Sequence, residues 1–495
     1  MQFTEENFNA LLSKTLKQEN EILLLRQRVD WLIRKLFGRS SEKLNPNQLA
    51  LDLGENGITP DAPEAPMEVD EVLPARAQRK RGKRMELPAD LPVVEERIIP
   101  EEVQAEPEAY RQISEEVFEQ LDITPAQCFK RRIIRPKFVR LDDRSLPPVI
   151  APAPKRIIEN SIASASLLMY LVCGKYIEHL PLYRLEQSLK RRFGVLIHRK
   201  LMSGWMYRLA QMLAMIYEAL RDEVRRAAYL QIDETPVNYL NPGSGKCGRG
   251  YLWVYKIPKR SVLFEWHTGR GADCLRKMLV GFEGFVQSDG YGAYDSFRRT
   301  HGKGKITAVA CMAHARRYFY EARNESKTAQ EIVDQIVKLY QVETKLRENP
   351  MLDHRAVRQK ESVPVLDKIH GMLLAAKGAH LPKSLTGQAL DYALARWEQL
   401  TIYTEHAELE IDNNPVENAI RPTAVGKKNW LFFGSAEAGQ TSAIFYSLIG
   451  SCKALGIIPE EYLNEVFTAL PEMTNQTAKE WTPSAWKARR EKTAG

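Results

Sequence analysis

The sequence contains few cysteines, and no two of them form a C-x-x-C pair. The six cysteines are scattered singly, at positions 128, 173, 247, 274, 311 and 452. This arrangement argues against a disulfide framework and against an ordinary zinc finger, and it is typical of reduced thiols. The chain also lacks a basic-then-apolar start, and its longest apolar run, 167–173, is too short to cross a bilayer. We therefore predict a cytoplasmic protein with no membrane partner.

A large excess of one charge sign is missing as well. Lys and Arg number 71 against 63 Asp and Glu, a net charge of +8. Such a balance is compatible with a nucleic-acid partner but does not require one. With 495 residues the chain is too long for one typical core, and its length alone predicts about three domains.

Three carboxylate-bearing motifs, far apart in the chain, are its most informative feature. They are Q-I-D-E-T-P with Asp233, Q-S-D-G-Y-G-A-Y with Asp289, and D-N-N-P-V-E-N-A-I-R-P with Glu417. The two aspartates each follow a strand-like run, so neighbouring strands are expected to present both carboxylates at one end of a sheet. Asn414 as N-cap and Pro415 as first helical residue would place Glu417 in the first turn of a helix.

Carboxylates in this number favour a hard divalent cation. Magnesium takes oxygen ligands and keeps several waters, which leaves positions for phosphate oxygens. Two such ions about 3.5–4 Å apart can stabilise the attacking and leaving oxygens of a phosphodiester displacement. We expect two Mg²⁺ ions, with Mn²⁺ as an acceptable substitute and zinc disfavoured. An Asp at a strand end is more often a turn residue, and Glu234, Asp295 and Asp412 are alternative or supporting carboxylates.

These motifs resemble those of the insertion sequence 66 family of bacterial transposases, whose catalytic domain is similar to ribonuclease H. The likeness extends to L-F-G-R-S-S-E-K-L at 36–44, K-Y-I-E-H-L-P-L-Y-R at 175–184, C-M-A-H-A-R-R-Y-F at 311–319 and K-K-N-W-L-F-F-G-S at 427–435. The resemblance implies that Asp233, Asp289 and Glu417 hold the metals and that the reaction is excision and insertion of a mobile DNA element. It also implies a bacterial cytosolic or nucleoid location, terminal repeats and target DNA as partners, a homodimer or higher oligomer, and accessory proteins of the same element.

The N-terminal region is predicted to carry three modules. Apolar residues at 22, 25, 29, 32 and 36 follow a heptad pattern that favours a short parallel dimer, although one amphipathic helix docked on its own protein fits nearly as well. A Pro- and Glu-rich linker with one basic cluster follows. The stretch 111–140 resembles the family's small zinc-binding module but lacks its cysteine pairs, so we expect a metal-free remnant.

Segments further along are predicted to bind DNA or to support the site. Helices at 182–192 and 200–219 around Gly194 look like a helix-turn-helix, although a hairpin that only packs on the catalytic domain is the alternative. Cys311 and His314 have C-x-x-H spacing, but two ligands do not make a zinc site; His314 is expected to support the site instead. The predicted DNA contacts are Arg79, Lys80, Arg81, Lys83, Arg84, Arg131, Arg132, Arg184, Arg191, Arg192, Arg199, Lys200, Arg316, Arg317, Arg421, Lys427, Lys428 and Trp430, the last of which fits better as a core aromatic.

The predicted fold class is multidomain α+β. A ribonuclease-H-like mixed α/β core is expected to be interrupted by a helical insertion and preceded by a coiled-coil helix and a helical DNA-binding region. Strands are predicted at 229–232, 251–257, 262–266, 285–288 and 306–310, with the first central, and insertion helices at 329–348, 363–376 and 386–400. The expected segments are a dimerisation helix (1–45), a linker (46–101), the zinc-module remnant (102–152), the DNA-binding region (153–226), the first segment of the catalytic core (227–312), the insertion (313–408), the second segment of the catalytic core (409–456) and a loosely ordered tail (457–495).

Three functions follow from these motifs. The first is a transposase that cleaves element ends and joins them to target DNA by two-metal-ion catalysis. The second is a DNA-binding assembly or regulatory protein with an inactive catalytic fold. The third is a structure-specific nuclease that does not join strands.

Overall fold

The computed structural model describes residues 18, 127–134, 136–138, 149–150, 154–241, 246–301 and 305–494. Residues 40–133 form a separate unit, of which 127–133 are described, are exposed and form no helix or strand. Residues 130–134 likewise form no strand, because no face of this segment is buried to fix one. Lys137–Phe138 (β1) pairs antiparallel with Val149–Ile150 (β2). No described helix is both long and apolar enough to cross a membrane.

A mixed five-stranded sheet forms the centre of the larger unit. Its strands are Tyr229–Leu240 (β3), Cys247–Ile257 (β4), Ser261–His267 (β5), Gly284–Ser288 (β6) and Ile306–Ala310 (β7). Their order is β5-β4-β3-β6-β7, so β3 is central, as predicted. The hairpin strands β3, β4 and β5 pair antiparallel, whereas β3, β6 and β7 pair parallel.

The central strand is longer than the sequence indicates. We predicted that it would end before Asp233, but β3 continues to Leu240. The reason is that the antiparallel partner β4 pairs with it as far as Leu240↔Cys247. The parallel pairing with β6, by contrast, stops at Gln231↔Gln287. Asp233 therefore lies just past the end of the parallel ladder but inside a continuous strand.

Three helices precede the sheet and share its core. They are Ala165–Tyr176 (α1), Leu182–Phe193 (α2) and Arg199–Arg225 (α3). The turn between α2 and α3 contains Gly194 in the left-handed conformation, with φ of 67°, which glycine adopts without steric cost. Apolar residues of α3, from Met202 to Val224, are buried in the same cluster as the strands. The helical hairpin thus packs on the sheet while its turn stays exposed.

Two short helices connect the strands of the parallel half. A 3₁₀ turn, Ala272–Leu275, leads into Arg276–Leu279 (α4), and Gly292–His301 (α5) joins β6 to β7. The connection 272–279 is therefore helical throughout, and its first turn is a 3₁₀ helix.

A helical insertion with its own core separates β7 from the last segment of the sheet domain. Its helices are Met312–Ala322 (α6), Lys327–Glu348 (α7), His354–Val357 (α8), Val363–Ala376 (α9), Leu385–Ala395 (α10) and Trp397–Thr401 (α11). Their apolar faces form a second cluster together with Tyr229 and Val309 of the sheet. The buried Arg358 of the π-helical turn between α8 and α9 forms a bidentate ion pair with Glu343 of α7.

After the insertion the chain returns to the sheet as four helices. They are Asn414–Trp430 (α12), Ala436–Ala454 (α13), Pro459–Ala469 (α14) and Pro483–Ala494 (α15). Helix α13 covers the edge strand β5: Val262 N donates to Ser451 Oγ at 2.9 Å, and Phe264 N donates to Ser447 Oγ at 2.8 Å. The serines satisfy backbone donors that a sheet edge would otherwise expose.

The segment 457–495 differs from the loosely ordered tail that we expected. It forms α14 and α15, and Tyr462, Phe467 and Trp486 from these helices are buried in the main core. Trp486 Nε1 also donates to Glu465 Oε2 at 2.8 Å. The polar, basic residues at the end of the sequence obscured this packing, to which aliphatic residues such as Leu463 and Val466 also contribute.

Candidate active site

The sheet register brings the two aspartates to the same level. The last parallel pair of β3 and β6 is Gln231↔Gln287. Asp233 and Asp289 each follow their glutamine by two residues, and side chains two residues apart along a strand point to the same face. Both aspartates are half-buried. The two aspartates therefore occupy equivalent positions just past the last parallel pair, Asp233 inside β3 and Asp289 directly after β6.

Glu417 lies in the first turn of α12, as predicted. The helix begins one residue earlier than expected, because Asn414 is its first residue and Asn413 precedes it as N-cap. Asp412 takes the capping role, since its carboxylate accepts from Asn414 N at 3.0 Å. A proline inside a helix is expected to end or kink it soon after, but α12 runs through Pro422 to Trp430. Lys427, which lies beyond Pro422, ties the helix to β3 by donating to the carbonyl oxygen of Pro236.

Buried glutamines hold the segment that delivers Glu417. Gln231 Nε2 donates to the carbonyl oxygen of Asp412 at 2.9 Å, and Gln287 Nε2 donates to that of Glu410 at 2.9 Å. The two side chains also meet each other, with Gln231 Nε2 at 2.9 Å from Gln287 Oε1. Asn413 Nδ2 completes the attachment by donating to the carbonyl oxygen of Ile232 at 3.1 Å. The strands that carry the aspartates are thus tied directly to the start of α12.

We did not predict these glutamines from the sequence. A signal for them was nonetheless present, because both aspartate motifs read Q-x-D. The repeated spacing puts a polar side chain on the same face as each aspartate, within a strand that is otherwise buried. A buried amide at such a place requires hydrogen-bond partners, which here come from the returning chain.

The surroundings of Asp233 carry strong negative charge. Burial raises the pKa of Asp233 well above its usual range, and the negative charges of Glu417, Asp289 and Glu234 raise it further, in that order. A carboxylate in this situation is stabilised by a nearby cation. The oxygen donors and their unbalanced negative charge fit hard divalent ions such as Mg²⁺.

The additional carboxylates have other partners. Glu234 accepts from Arg270 Nε at 2.8 Å and from Tyr294 Oη at 2.6 Å. Asp412 accepts from Tyr340 Oη at 2.9 Å as well as from Asn414. Asp295 lies 3.6 Å from Arg298 on the surface of α5. Glu234 and Asp412 therefore support the fold around the site, whereas Asp295 forms an ion pair on the surface.

Arg270, which we did not predict as a site residue, braces the Asp289 loop. Its guanidinium lies 4.0 Å from the ring centroid of Tyr291 while it pairs with Glu234. Tyr291 N in turn donates to Asp289 Oδ1 at 2.8 Å. A chain of contacts therefore runs from β3 to the carboxylate of Asp289.

The helical insertion holds the other side of this loop. Tyr392 Oη of α10 donates to the carbonyl oxygen of Asp289 at 3.0 Å, and Arg396 Nη2 donates to that of Gly290 at 3.3 Å. Gly290 has φ of 83°, and a Cβ there would lie 2.7 Å from Arg396 Nε. The insertion, whose role the sequence did not indicate, thus contacts the backbone at a predicted metal ligand.

His314 lies at the N-terminal turn of α6, beside Glu417. Its Nδ1 is 3.8 Å from Glu417 Oε1. Burial and the positive charge of Arg317 lower the pKa of His314 to about 4, against the opposing charge of Asp289. The imidazole is therefore neutral near pH 7 and adds no positive charge to the carboxylate cluster.

The predicted DNA-contacting residues fall into three groups. Those of the linker, Arg79, Lys80, Arg81, Lys83 and Arg84, lie outside the described residues. Those exposed to solvent are Arg131, Arg132, Arg184, Arg191, Arg192, Arg199, Lys200, Arg421 and Lys428. The half-buried group consists of Arg316, Arg317, Lys427 and Trp430.

The half-buried residues of α12 make contacts within the protein. Lys427 Nζ donates to the carbonyl oxygen of Pro236 at 3.2 Å, and burial, followed by the charges of Arg249 and Lys428, lowers its pKa. Trp430 stacks on Phe433, with centroids 4.9 Å apart, which agrees with the packing role that we favoured. Lys256, another lysine that we did not predict from the sequence, donates to the carbonyl oxygen of Pro415 at 2.9 Å.

Comparison with known proteins gives two family matches. A family model described as "Transposase IS66 family" matches residues 160–441, which includes all three carboxylates. A second, described as "Transposase C of IS166 homeodomain", matches residues 24–95, outside the described residues.

Full-length relatives come from Sinorhizobium fredii. The uncharacterized protein y4qI is 32% identical over 466 residues, which are 89% of this chain and 84% of the relative. The uncharacterized protein y4jD is 30% identical over 494 residues, with 94% and 95% of the two chains covered. The similarity therefore extends over nearly the whole chain and is not confined to the site.

Proposed function

Since the chain belongs to the IS66 family of transposases, we propose that it cleaves phosphodiester bonds at the ends of an insertion sequence and joins them to target DNA. Asp233, Asp289 and Glu417 are proposed as the catalytic carboxylates. One observation carries this assignment: Asp233 and Asp289 follow the same register pair of β3 and β6, while the charges of Glu417 and Asp289 both raise the pKa of Asp233.

We propose that the core is ribonuclease-H-like. Three antiparallel strands are followed by two parallel ones, and the first strand is central. After the helical insertion that follows β7, the chain returns through α12, which carries Glu417 in its first turn and contacts β3 through Lys427. These features support the proposal, because each agrees with the order of elements that the family resemblance implies.

Asp233 and Asp289 would hold two Mg²⁺ ions between them, with Glu417 completing the set. When bound, such ions would polarise the phosphodiester and activate the attacking hydroxyl. The protein contributes by fixing the three carboxylates before substrate arrives, through the glutamine contacts, the Arg270 contacts and the insertion. The neutral imidazole of His314 places no competing positive charge beside Glu417.

Helix α12 offers a path for the DNA backbone past Glu417. With 3.6 residues per turn, Arg421 and Lys428 lie within about 40° of Glu417 around the helix axis. Both are exposed, and both can pair with phosphates. A second basic surface surrounds the α2–α3 turn and includes Arg191, Arg192 and Arg199. Two element ends must be held together for joining, so we also propose a homodimer or a larger assembly.

The test replaces each catalytic carboxylate separately by Ala. Cleavage of an element-end duplex with Mg²⁺ should fall by about 10³-fold or more, since a loss of about 4 kcal/mol of transition-state stabilisation has that effect. Binding to element ends should be largely kept. Asp295→Ala is the matched control, because Asp295 is a nearby carboxylate that only pairs with Arg298 on the surface.

The assay also separates the proposed function from its rivals. Magnesium-dependent cleavage that persists in all three variants would refute the assignment of the carboxylates. Wild-type protein that binds ends but never cleaves them would indicate an assembly or regulatory role. Cleavage without joining to a second duplex would indicate a nuclease.

A further inference from the structure

A second potential metal site adjoins the carboxylates and uses different chemistry. Cys311 Sγ, a ring nitrogen of His314 and a carboxylate oxygen of Glu417 all lie within 4.8 Å of one another. The C-x-x-H spacing alone offers only two ligands. The fold supplies a third from a motif that is remote in sequence.

Two donor atoms of this cluster have the local contacts expected of metal ligands. Cys311 is fully buried, and its sulfur accepts a hydrogen bond from Asn413 N at 3.2 Å, a contact that orients a metal-binding sulfur. The Nδ1 of His314 is buried and has no hydrogen-bond partner among the described residues. It lies 3.8 Å from Glu417 Oε1, close to the edge of a tetrahedron built with bonds of about 2.0–2.3 Å.

We propose that Cys311, His314 and Glu417 bind Zn²⁺ or a similar thiophilic divalent cation, with a fourth position open to water. A set of one sulfur, one nitrogen and one oxygen suits zinc and does not suit magnesium. Because Glu417 belongs to both sets, an ion at this site draws its carboxylate away from Asp233 and Asp289. Zinc would therefore inhibit magnesium-dependent cleavage. This inhibition rests on the proposed function, whereas zinc binding does not depend on it.

Binding is tested with Co²⁺ as a spectroscopic probe. The protein used is the full chain with Cys128→Ser, Cys247→Ser and Cys274→Ser, since these three cysteines are not buried and would contribute their own signals. We expect a thiolate-to-cobalt charge-transfer band and competition by zinc. Cys311→Ser should abolish the band. Cys452→Ser, which removes another buried cysteine, should keep it.

A second variant guards against a folding defect in Cys311→Ser. The side chain of Glu417 is 40% exposed, so Glu417→Gln disturbs no core packing, and it should weaken cobalt binding by at least about tenfold. Absence of the band in the starting protein, or its persistence in Cys311→Ser, would overturn the proposed site.

Inhibition is tested separately by titrating zinc into the cleavage assay at fixed Mg²⁺. Relative to its own zinc-free activity, Cys311→Ser should need at least about tenfold more zinc for half-inhibition than the starting protein. Equal sensitivity would overturn the inhibitory role. A cobalt signal in a protein without any cleavage activity would support the metal site while contradicting the proposed function.

Discussion

Neutralising Asp233 should stabilise the metal-free protein and remove its response to magnesium. In the folded state Asp233 is surrounded by the negative charges of Glu417, Asp289 and Glu234, whereas in the unfolded chain these groups separate. Asp233→Asn keeps the shape of the side chain and removes one of the repelling charges. The same substitution removes a proposed metal ligand. It should therefore stabilise the protein without metal and reduce the stabilisation that Mg²⁺ provides.

The expected size follows from the charge environment. At an effective dielectric constant of about 20, two like charges 6 Å apart repel by about 3 kcal/mol. Asp233 is half-buried, so screening by water and ions reduces this value. We expect the variant to gain about 1–2 kcal/mol at pH 7 in chelator, which corresponds to an increase in Tm of about 1–2 °C for a chain of this size.

The pH dependence gives a second readout with a definite sign. The pKa of Asp233 is raised in the folded state, so this group's contribution to stability is fully present below its unfolded pKa of about 4 and is lost as the pH rises above that value. The advantage of Asp233→Asn over wild type should therefore shrink as the pH is lowered towards about 4.

Thermal unfolding in chelator and in Mg²⁺ measures both effects. Wild type should gain Tm on adding Mg²⁺, and Asp233→Asn should gain much less. Asp295→Asn is the control, and a surface change of this kind stays within about 0.5 kcal/mol. The reasoning would be refuted by a variant that is less stable than wild type in chelator at pH 7, or by an advantage that does not change with pH.

Three further predictions concern the supports of the site and its DNA surface. Gln231→Leu removes the hydrogen bonds that Gln231 Nε2 donates to Gln287 Oε1 and to the carbonyl oxygen of Asp412, so the free energy of unfolding should fall by about 1–3 kcal/mol and cleavage should fall with end binding kept. Unchanged denaturant midpoints would contradict this role. Replacing Arg191 and Arg192 by Ala should weaken binding to element ends. The slope of the logarithm of the binding constant against the logarithm of the salt concentration should become shallower by about 1 per lost phosphate contact. An unaltered slope in a binding titration would show that these arginines do not belong to the interface. Arg358→Leu should destabilise the protein by about 3–5 kcal/mol in urea unfolding, because Glu343 stays buried without its partner. The double variant with Glu343→Leu should recover much of that stability. A double variant that is as unstable as the single one would show that the contacts of Arg358 with backbone carbonyls dominate.

The spacing of apolar residues within a segment predicted those helices and strands that depend only on that segment. Strand β7 and helix α9 begin and end as predicted, because alternating or helically spaced apolar residues end abruptly in each. Helix α12 was placed to within one residue. Two adjacent asparagines, Asn413 and Asn414, are equally good N-caps, and the choice between them depends on the distant contact of Asn413 with Ile232.

The errors arose where a partner from elsewhere in the chain decides the structure. The length of β3 depends on β4, and the continuation of α12 past Pro422 depends on its packing along the sheet. The C-terminal helices depend on aliphatic and aromatic residues that insert into a core formed by earlier segments. Similarly, the polar contacts that position the carboxylates join glutamines to backbone carbonyls, which carry no sequence signal of their own.

The position of the insertion explains how three remote motifs can form one site. The chain leaves the sheet domain at Cys311 and Met312 and returns at Ile411 to Asn413, and these ends are bonded to each other: Met312 N donates to the carbonyl oxygen of Ile411 at 3.1 Å, and Asn413 N donates to Cys311 Sγ at 3.2 Å. Because its two ends are held together, the insertion is a closed loop on the sheet domain, and the entropic cost of closing such a loop grows only slowly with its length. The placement of Glu417 is therefore set by the contacts at the ends, while the body of the insertion acts through its separate contact with the Asp289 loop.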